Sequence, residues 1–132
     1  MGGDFTVEII NPEKSFLSKD DVNEVIVPGY EGEMGILKDH ISIISFLKPG
    51  IVRVISKNTE EKFFVEDGIV EFKNNSLSIL TSAIFNIGEI DKDHINKKIE
   101  ISEKELSDEN IDDQKKFLIT QKIDVLKSIS VN

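Results

Sequence analysis

The segment from Val25 to His40 reads VIVPGYEGEMGILKDH and is the most informative part of the sequence. It begins with three apolar β-branched residues and a Pro-Gly pair, a pattern typical of a strand that stops at a turn. Gly29, Gly32 and Gly35 then fall within seven residues. Glycines at this density indicate unusual backbone angles or close approach to another surface. From composition alone we predict a strand followed by a turn-rich connecting loop.

On both sides of this segment, apolar residues alternate with period two up to about residue 85, as they do in half-buried strands. Asn74 and Asn75 join two such runs, and because asparagine tolerates positive φ we predict a hairpin there. Lys48-Pro49-Gly50 puts Pro and Gly where a type II turn requires them. The predicted strands are residues 5–10, 22–27, 41–47, 51–55 and 63–65, and the hairpin arms are 70–72 and 77–79.

The chain changes character near residue 89, where helical spacing replaces period two and Asp91 is a suitable N-cap. We predict a β sandwich of two antiparallel sheets followed by an α-helical hairpin, with one domain at 1–87 and a second at 88–132. Each helix alone is marginally stable, which leaves more than one way of docking open. The apolar stripes of the two helices are Ile95, Ile99 and Leu106, and Ile119, Ile123 and Leu126.

Composition argues against several classes of function. The formal net charge is −9 and Arg53 is the only arginine, so we expect neither nucleic-acid binding nor insertion into anionic lipid. The chain has no cysteine, and His40 and His94 lie far apart, so we expect no metal site. The sequence contains no nucleophile–base pair and no phosphate-binding Gly-Lys-Ser/Thr loop. We therefore predict no catalytic residue and no cofactor.

The order of the motifs resembles the epsilon subunit of bacterial F-type ATP synthases. The resemblance runs from about residue 4 to 95 without a forced gap, and several separate motifs agree in order and distance. It is carried by Val-Pro-Gly, Glu-Gly-Glu, Gly-Ile-Leu and His40 in the first segment, by LKPGIVR at 47–53, by FFV at 63–65 with GIVE at 68–71, by 77–80 with Ala83, and by 89–91.

The sequence departs from the family pattern in two places. Family members usually have Pro-Gly before the histidine and Ala-Pro after it, whereas Lys38-Asp39 and Ile41-Ser42 flank His40 here. A common Gly-Gly pair is reduced to Asp67-Gly68. These changes alter loop stiffness and not the fold.

The resemblance implies a non-catalytic part of a rotary machine, peripheral on the cytoplasmic face of the bacterial inner membrane. The sandwich would join the gamma shaft to the ring of c subunits during proton-driven ATP synthesis. The family's ring-facing loop corresponds to Glu31, Gly32, Glu33 and Met34, with His40 bordering this contact or the gamma face. The alternative for the glutamates is a solvated surface, and the alternative for His40 is a packing role. The sequence leaves proton and sodium coupling open.

The helical hairpin resembles the family's regulatory element, which folds on the sandwich or extends into the alpha/beta catalytic head and restrains ATP hydrolysis. Some relatives bind ATP through Ile or Leu, Asp, two variable residues, Arg and Ala. Ile90 and Asp91 match that motif, but His94 replaces Arg and Ile95 replaces Ala. Imidazole is neither bidentate nor permanently charged. Asp91 is equally well explained as a helix cap.

Basic residues of the second helix assist inhibition in the family. The second helix here has four lysines and three aspartates, so its net charge is only +1. The lysines are Lys115, Lys116, Lys122 and Lys127. An inhibitory role and a merely solvated helix therefore both remain open.

Two rival functions come from other classes. The first is a β-sandwich ligand-binding module with a helical tail, which would need an apolar pocket with converging polar groups. The second is a small enzyme on a β-barrel, for which no catalytic pair is present. A pocket within the sandwich would favour the ligand-binding module, and a broad exposed apolar face would favour the rotor adaptor.

Overall fold

In the computed structural model, which describes residues 4–130, strands occupy the chain up to Asn86 and two helices follow. The helices are α1 (Lys92–Leu106) and α2 (Asp113–Ser130). The strands are β1 (Phe5–Asn11), β2 (Lys14–Gly29), β3 (Gly32–Leu37), β4 (Ile43–Leu47), β5 (Gly50–Ser56), β6 (Thr59–Val65), β7 (Gly68–Lys73), β8 (Ser76–Leu80) and β9 (Ile84–Asn86).

The strands form two layers that share β2. The first half of β2 pairs with β1, and this layer continues through β8 and β7 to β4. The second half of β2 pairs with β3 on one side and with β5 on the other, and this layer continues through β6 to β9. The predicted β sandwich followed by two C-terminal helices is thus confirmed. One pair departs from the antiparallel pattern, because β1 and β8 run parallel.

The space between the layers holds a continuous apolar core. Alternate residues of the strands point into it, as in β1, where Phe5, Val7 and Ile9 are buried and their neighbours Thr6 and Glu8 are exposed. Each fully buried aliphatic or aromatic side chain contributes roughly 1.5–3 kcal/mol. The other buried members are Val22, Val25, Val27, Ile36, Leu47, Val52, Val54, Phe63, Val65, Val70, Phe72, Leu77 and Ile79.

The predicted asparagine hairpin is confirmed. Asn74 and Asn75 have φ values of 52° and 58° and join β7 to β8. Both residues are in the left-handed region, as a tight two-residue hairpin requires. Two other features exceed the prediction: β2 begins at Lys14 instead of residue 22, and β9 was not predicted. In the early part of β2 the apolar residues Phe16 and Leu17 are adjacent and the rest are polar, so the segment carries little period-two signal.

The predicted loop after Gly29 is wrong. Residues Gly32–Leu37 form strand β3, which makes a hairpin with the end of β2. The strand alternates like any other, because Ile36 is buried and Met34 is half-buried while their neighbours are exposed. Gly32 and Gly35, which carry no side chains to alternate, masked that pattern in the sequence.

The predicted type II turn at Lys48-Pro49-Gly50 is also wrong, because Gly50 does not have the positive φ that such a turn needs at its third residue. Gly50 is instead the first residue of β5. A Cβ placed there would lie 2.5 Å from Cβ and 2.8 Å from Cγ of Pro28. The glycine is required by the close approach of the Pro28 ring.

The two helices pack against each other and onto the outer face of the second layer. The carboxylate of Asp91 caps α1, and Asp112 Oδ1 accepts a 2.7 Å hydrogen bond from the Lys115 N–H at the start of α2. Both predicted apolar stripes face this contact. Its buried members are Phe64, Ile95, Ile99, Ile119, Ile123, Leu126 and Ile129. The division into domains at residues 87 and 88 stays a prediction.

Neither described helix is both long and apolar enough to cross a membrane.

We expect Gly50→Ala to lower the free energy of unfolding by about 1–3 kcal/mol, because the new methyl group overpacks against Pro28. Urea denaturation measures the change. Gly35→Ala is the matched control, since its Cβ would meet only the end of the Glu24 side chain, at 3.1 Å. An equal loss in both variants would contradict the role assigned to the Pro28 contact.

Candidate interaction face and helical hairpin

A row of apolar side chains crosses the outer face of the first layer. Phe46 on β4 pairs with Ile69 on β7, Ile69 with Leu80 on β8, and Leu80 with Ile10 on β1. Phe46, Ile69 and Leu80 are 63%, 40% and 51% exposed. Side chains directly opposite on neighbouring strands lie side by side. The row is therefore one continuous apolar strip, open to solvent.

The sequence of β4 explains why this face is apolar. The strand reads IISFL, so its inward residues Ile43 and Leu47 and its outward residues Ile44 and Phe46 are all apolar. Strands with apolar residues on both sides are typical of sheets covered on both faces. Here the outward side is uncovered, and Ile44 is 71% exposed.

The β2–β3 hairpin extends the apolar strip at one end of the sandwich. Tyr30 at its tip is about half exposed and lines an open cleft of about 520 Å³ together with Phe46, Ile69, Leu80 and other residues. At the rim, Asp67 accepts hydrogen bonds from the N–H and the hydroxyl of Ser82. We call the exposed side chains of Tyr30, Phe46, Ile69 and Leu80 the open face.

The open face was not predicted residue by residue. The only signal in the sequence was the run 43–47, which is apolar except for Ser45. That run predicted a strand but did not show that one side of the strand is open. The cleft lies outside the sandwich, whereas the space between the layers is occupied by buried side chains. This arrangement agrees with the broad exposed apolar face expected of a rotor adaptor, and not with the internal pocket expected of a ligand-binding module.

The predicted ring-facing residues lie on the β2–β3 hairpin. Glu31 is exposed at the tip, and Gly32 has φ 129°, where glycine is favoured. Glu33 is exposed on β3. Met34, in contrast, is half-buried and packs against the core.

The structure separates His40 from these four residues. It follows the far end of β3, where Asp39 has φ 66° and exchanges two hydrogen bonds with Asn75, of 2.7 and 3.0 Å. The His40 Nδ1 lies 2.7 Å from the Ile41 carbonyl oxygen, and its ring makes an edge contact with Phe72 at 6.0 Å between centroids. His40 is thus a local packing residue at the end of the sandwich opposite Glu31.

The outer face of the second layer is also apolar, but the chain covers it. Phe64 and Phe85 stack with centroids 5.1 Å apart, and Lys98 places its ammonium 5.6 Å from the centre of the Phe85 ring. Ile51 and Ile87 pack beside them against α1 and α2. One outer face is therefore closed by the helical hairpin while the other stays open.

The residues of the partial ATP motif form a helix start. Asp91 Oδ1 accepts a 2.9 Å hydrogen bond from the His94 N–H and lies 2.9 Å from His94 Nδ1. The backbone N–H of His94, and then its side chain, hold the pKa of the Asp91 carboxyl below its usual value. Ile90 packs against the apolar cluster beneath the helices. The Asp91 carboxylate is thus already engaged in capping α1.

Residues 4–130 bring together no group of three or more His, Cys, Asp or Glu side chains able to hold a metal ion.

Comparison with known proteins supplies independent information. A family model described as the ATP synthase delta/epsilon chain, beta-sandwich domain, matches residues 4–87. The ATP synthase epsilon chain of Pelagibacter ubique (strain HTCC1062) is 62% identical over 130 residues, which cover 98% of this chain and 100% of that protein. The ATP synthase epsilon chain of Parvibaculum lavamentivorans is 28% identical, covering 98% and 97% of the two chains.

Solved structures share the fold. A chain of the Euglena gracilis mitochondrial ATP synthase, in a structure of OSCP, F1 and c-ring, superposes with a TM-score of 0.76 at 18% identity, covering 95% of this chain and 80% of that chain. A chain in the central stalk and c-ring structure of the Tetrahymena thermophila mitochondrial ATP synthase gives a TM-score of 0.65 at 14% identity, covering 95% of each.

We expect the stability of α1 to depend on pH through Asp91. Because the folded-state pKa of this carboxyl is lowered, its contribution is complete above its unfolded pKa of about 4 and is lost as pH falls below that value. Asp91→Asn keeps a capping side chain that does not titrate. Amide exchange in α1 of this variant should therefore change less between about pH 5 and about pH 3 than it does in the unsubstituted protein. Equal pH dependence of the two proteins would contradict the assignment. Glu100→Gln, at an exposed position later in α1, is the control.

Proposed function

This chain belongs to the ATP synthase delta/epsilon family, as a non-catalytic epsilon subunit, and from that premise we propose that it couples the gamma shaft to the c-ring. The sandwich turns with both as part of the rotor during proton-driven ATP synthesis. Such a subunit sits peripherally on the cytoplasmic face of the bacterial plasma membrane. The role calls for a stiff body with broad contact surfaces and no reactive group.

The open face carries the proposal, and we assign it to the gamma subunit. An exposed strip of Phe46, Ile69 and Leu80, continued by Tyr30, is unfavourable in water and typical of a protein–protein contact. Because the residues stand on paired strands, the strip is rigid before binding, and little conformational entropy is lost when a partner covers it. Aromatic anchors such as Tyr30 and Phe46 are the usual centres of such interfaces.

We assign the tip of the β2–β3 hairpin to the c-ring. Glu31 and Glu33 offer exposed carboxylates to polar ring loops, and Gly32 lets a partner approach the backbone closely. Met34 supports the tip from within, since it packs on the sandwich core. His40 is about one strand length away from the tip, roughly 20 Å for six residues, so we leave it out of the ring contact, and its place at the border of the gamma contact stays a prediction.

We assign the restraint of ATP hydrolysis to the helical hairpin, acting on the alpha/beta head. Lys115 and Lys116 are exposed at the start of α2, while Lys122 and Lys127 form ion pairs with acidic residues of this chain. Of these ion pairs, only that of Lys122 with Glu66 crosses to the sandwich, so release of the hairpin would expose Lys122 to the head, whereas Lys127 keeps its partner Glu103 within the hairpin. ATP sensing through Ile90, Asp91 and His94 stays a prediction that no contact in the structure favours.

We expect Phe46→Gln and Leu80→Gln each to weaken binding to the cognate gamma-containing catalytic head by about tenfold, because each removes an apolar anchor. Titration of head stripped of this subunit measures the dissociation constant. Leu37→Gln is the matched control, since Leu37 is similarly exposed but lies on β3, outside the open face and the helical hairpin. Unchanged binding of both open-face variants would remove the basis for the gamma assignment.

We expect the full chain to slow ATP hydrolysis by the stripped head, and a version ending at Ile87 to bind without slowing it. The truncation removes both helices and keeps the strands, and circular dichroism verifies its fold. Binding of both versions without inhibition would leave a rotor coupler alone. Failure of both to bind would refute the proposed function and favour the ligand-binding module.

A further inference from the structure

Lys122 on α2 joins three elements through one ammonium group. Its Nζ lies 2.9 Å from Glu66 Oε1, directly after β6, and 3.7 Å from Glu105 Oε1 on α1. The lysine side chain is only 16% exposed, whereas Glu66 and Glu105 are 38% and 47% exposed. The first ion pair crosses from the hairpin to the sandwich, and the second stays within the hairpin.

Lys122 is largely buried, so the stability of its charge depends on the carboxylates that pair with it. With Phe64 and Leu126 it lines a recess of about 140 Å³ where the helices meet the sandwich. Lysine is rarely this buried unless it is paired, because a desolvated charge without a partner is unfavourable. The apolar contacts around it are non-directional, but the ion pair to Glu66 is satisfied in one docked position only.

The two helices of the hairpin are held to each other by contacts that do not involve the sandwich. The helices share the apolar residues Ile95, Ile99, Ile119 and Ile123, and Lys127 forms a 3.6 Å ion pair with Glu103 across them. Release from the sheet therefore breaks the bond to Glu66 while the bonds between the helices persist. Glu105 keeps a partner for Lys122 in the released state.

We propose that Lys122 is a latch whose ion pair to Glu66 holds the docked helical hairpin on the sandwich. The Glu105 arm keeps the lysine paired when the latch opens. This is a property of the isolated chain, and only its consequence, that opening the latch exposes α2 to the catalytic head, rests on the proposed function. Failure of the head to respond would therefore leave the latch itself intact.

Amide hydrogen exchange of the isolated full chain tests the latch, because the helices are marginally stable without the sandwich and their amides open and exchange faster in the undocked hairpin than in the docked one. Lys122→Met keeps the apolar stem and removes the charge. Glu66→Gln leaves both helices unaltered. We expect each to speed exchange throughout α1 and α2 by about two- to fivefold, the range of a partly exposed ion pair, with sandwich amides unchanged. The double variant should exchange no faster than Lys122→Met alone, since that variant already lacks the bond that Glu66→Gln removes.

Two control variants separate a latch from ordinary helix stabilisation. Lys116→Met removes an exposed lysine from α2, and Glu105→Gln removes only the bond within the hairpin. We expect smaller effects from both than from Glu66→Gln. The proposal is overturned if Glu66→Gln leaves helix exchange unchanged, or if Glu105→Gln accelerates it as much. Lys122→Met exchanging no faster than Lys116→Met would overturn it equally.

Discussion

Strand β2 is the element on which the rest of the structure depends. Its 16 residues pair with β1 in the first half and with β3 and β5 in the second, so a single strand belongs to both layers. Register shifts between Val22 and Glu24, and in the pairing with β1, let the strand pass from one layer to the other. Val22, Val25 and Val27 keep contact with the core throughout. The β2–β3 hairpin tip inherits its position from this strand.

Both outer faces of the sandwich are apolar, and this sets how the molecule divides its contacts. The face around Phe64 and Phe85 is satisfied within the chain by two short helices. The open face has no such cover, although Phe46 and Leu80 are more than half exposed. Because the sandwich core is already complete between the layers, neither face is needed to hold the strands together. Each face is therefore available for a contact that forms and breaks without unfolding the sandwich.

Prediction from the sequence succeeded where a residue type is chosen by the backbone conformation of its own few residues. The hairpin at Asn74-Asn75 and the cap at Asp91 follow from backbone preferences that act within a few residues. It failed where the requirement comes from a distant segment. Gly50 is explained by the Pro28 ring, and the glycines of β3 by pairing with β2. For the open face the only signal in the sequence was the apolar run of β4, because the exposure of Phe46 depends on whether another segment covers the outer side of that strand.

The same distinction separates the stiff and the movable parts of the chain. The strands of the sandwich are held together by a core of many buried side chains, so weakening one contact leaves many others. The hairpin contacts the sandwich through an apolar patch, through Lys98 over the Phe85 ring, and through the partly buried Lys122, whose ammonium pairs with Glu66. In the proposed latch, the non-directional apolar patch supplies most of the attraction and the directional ion pair selects the docked position. In the proposed function the strands transmit torque and the helices leave the sandwich, and these two tasks call for different kinds of contact, each in its own part of the chain.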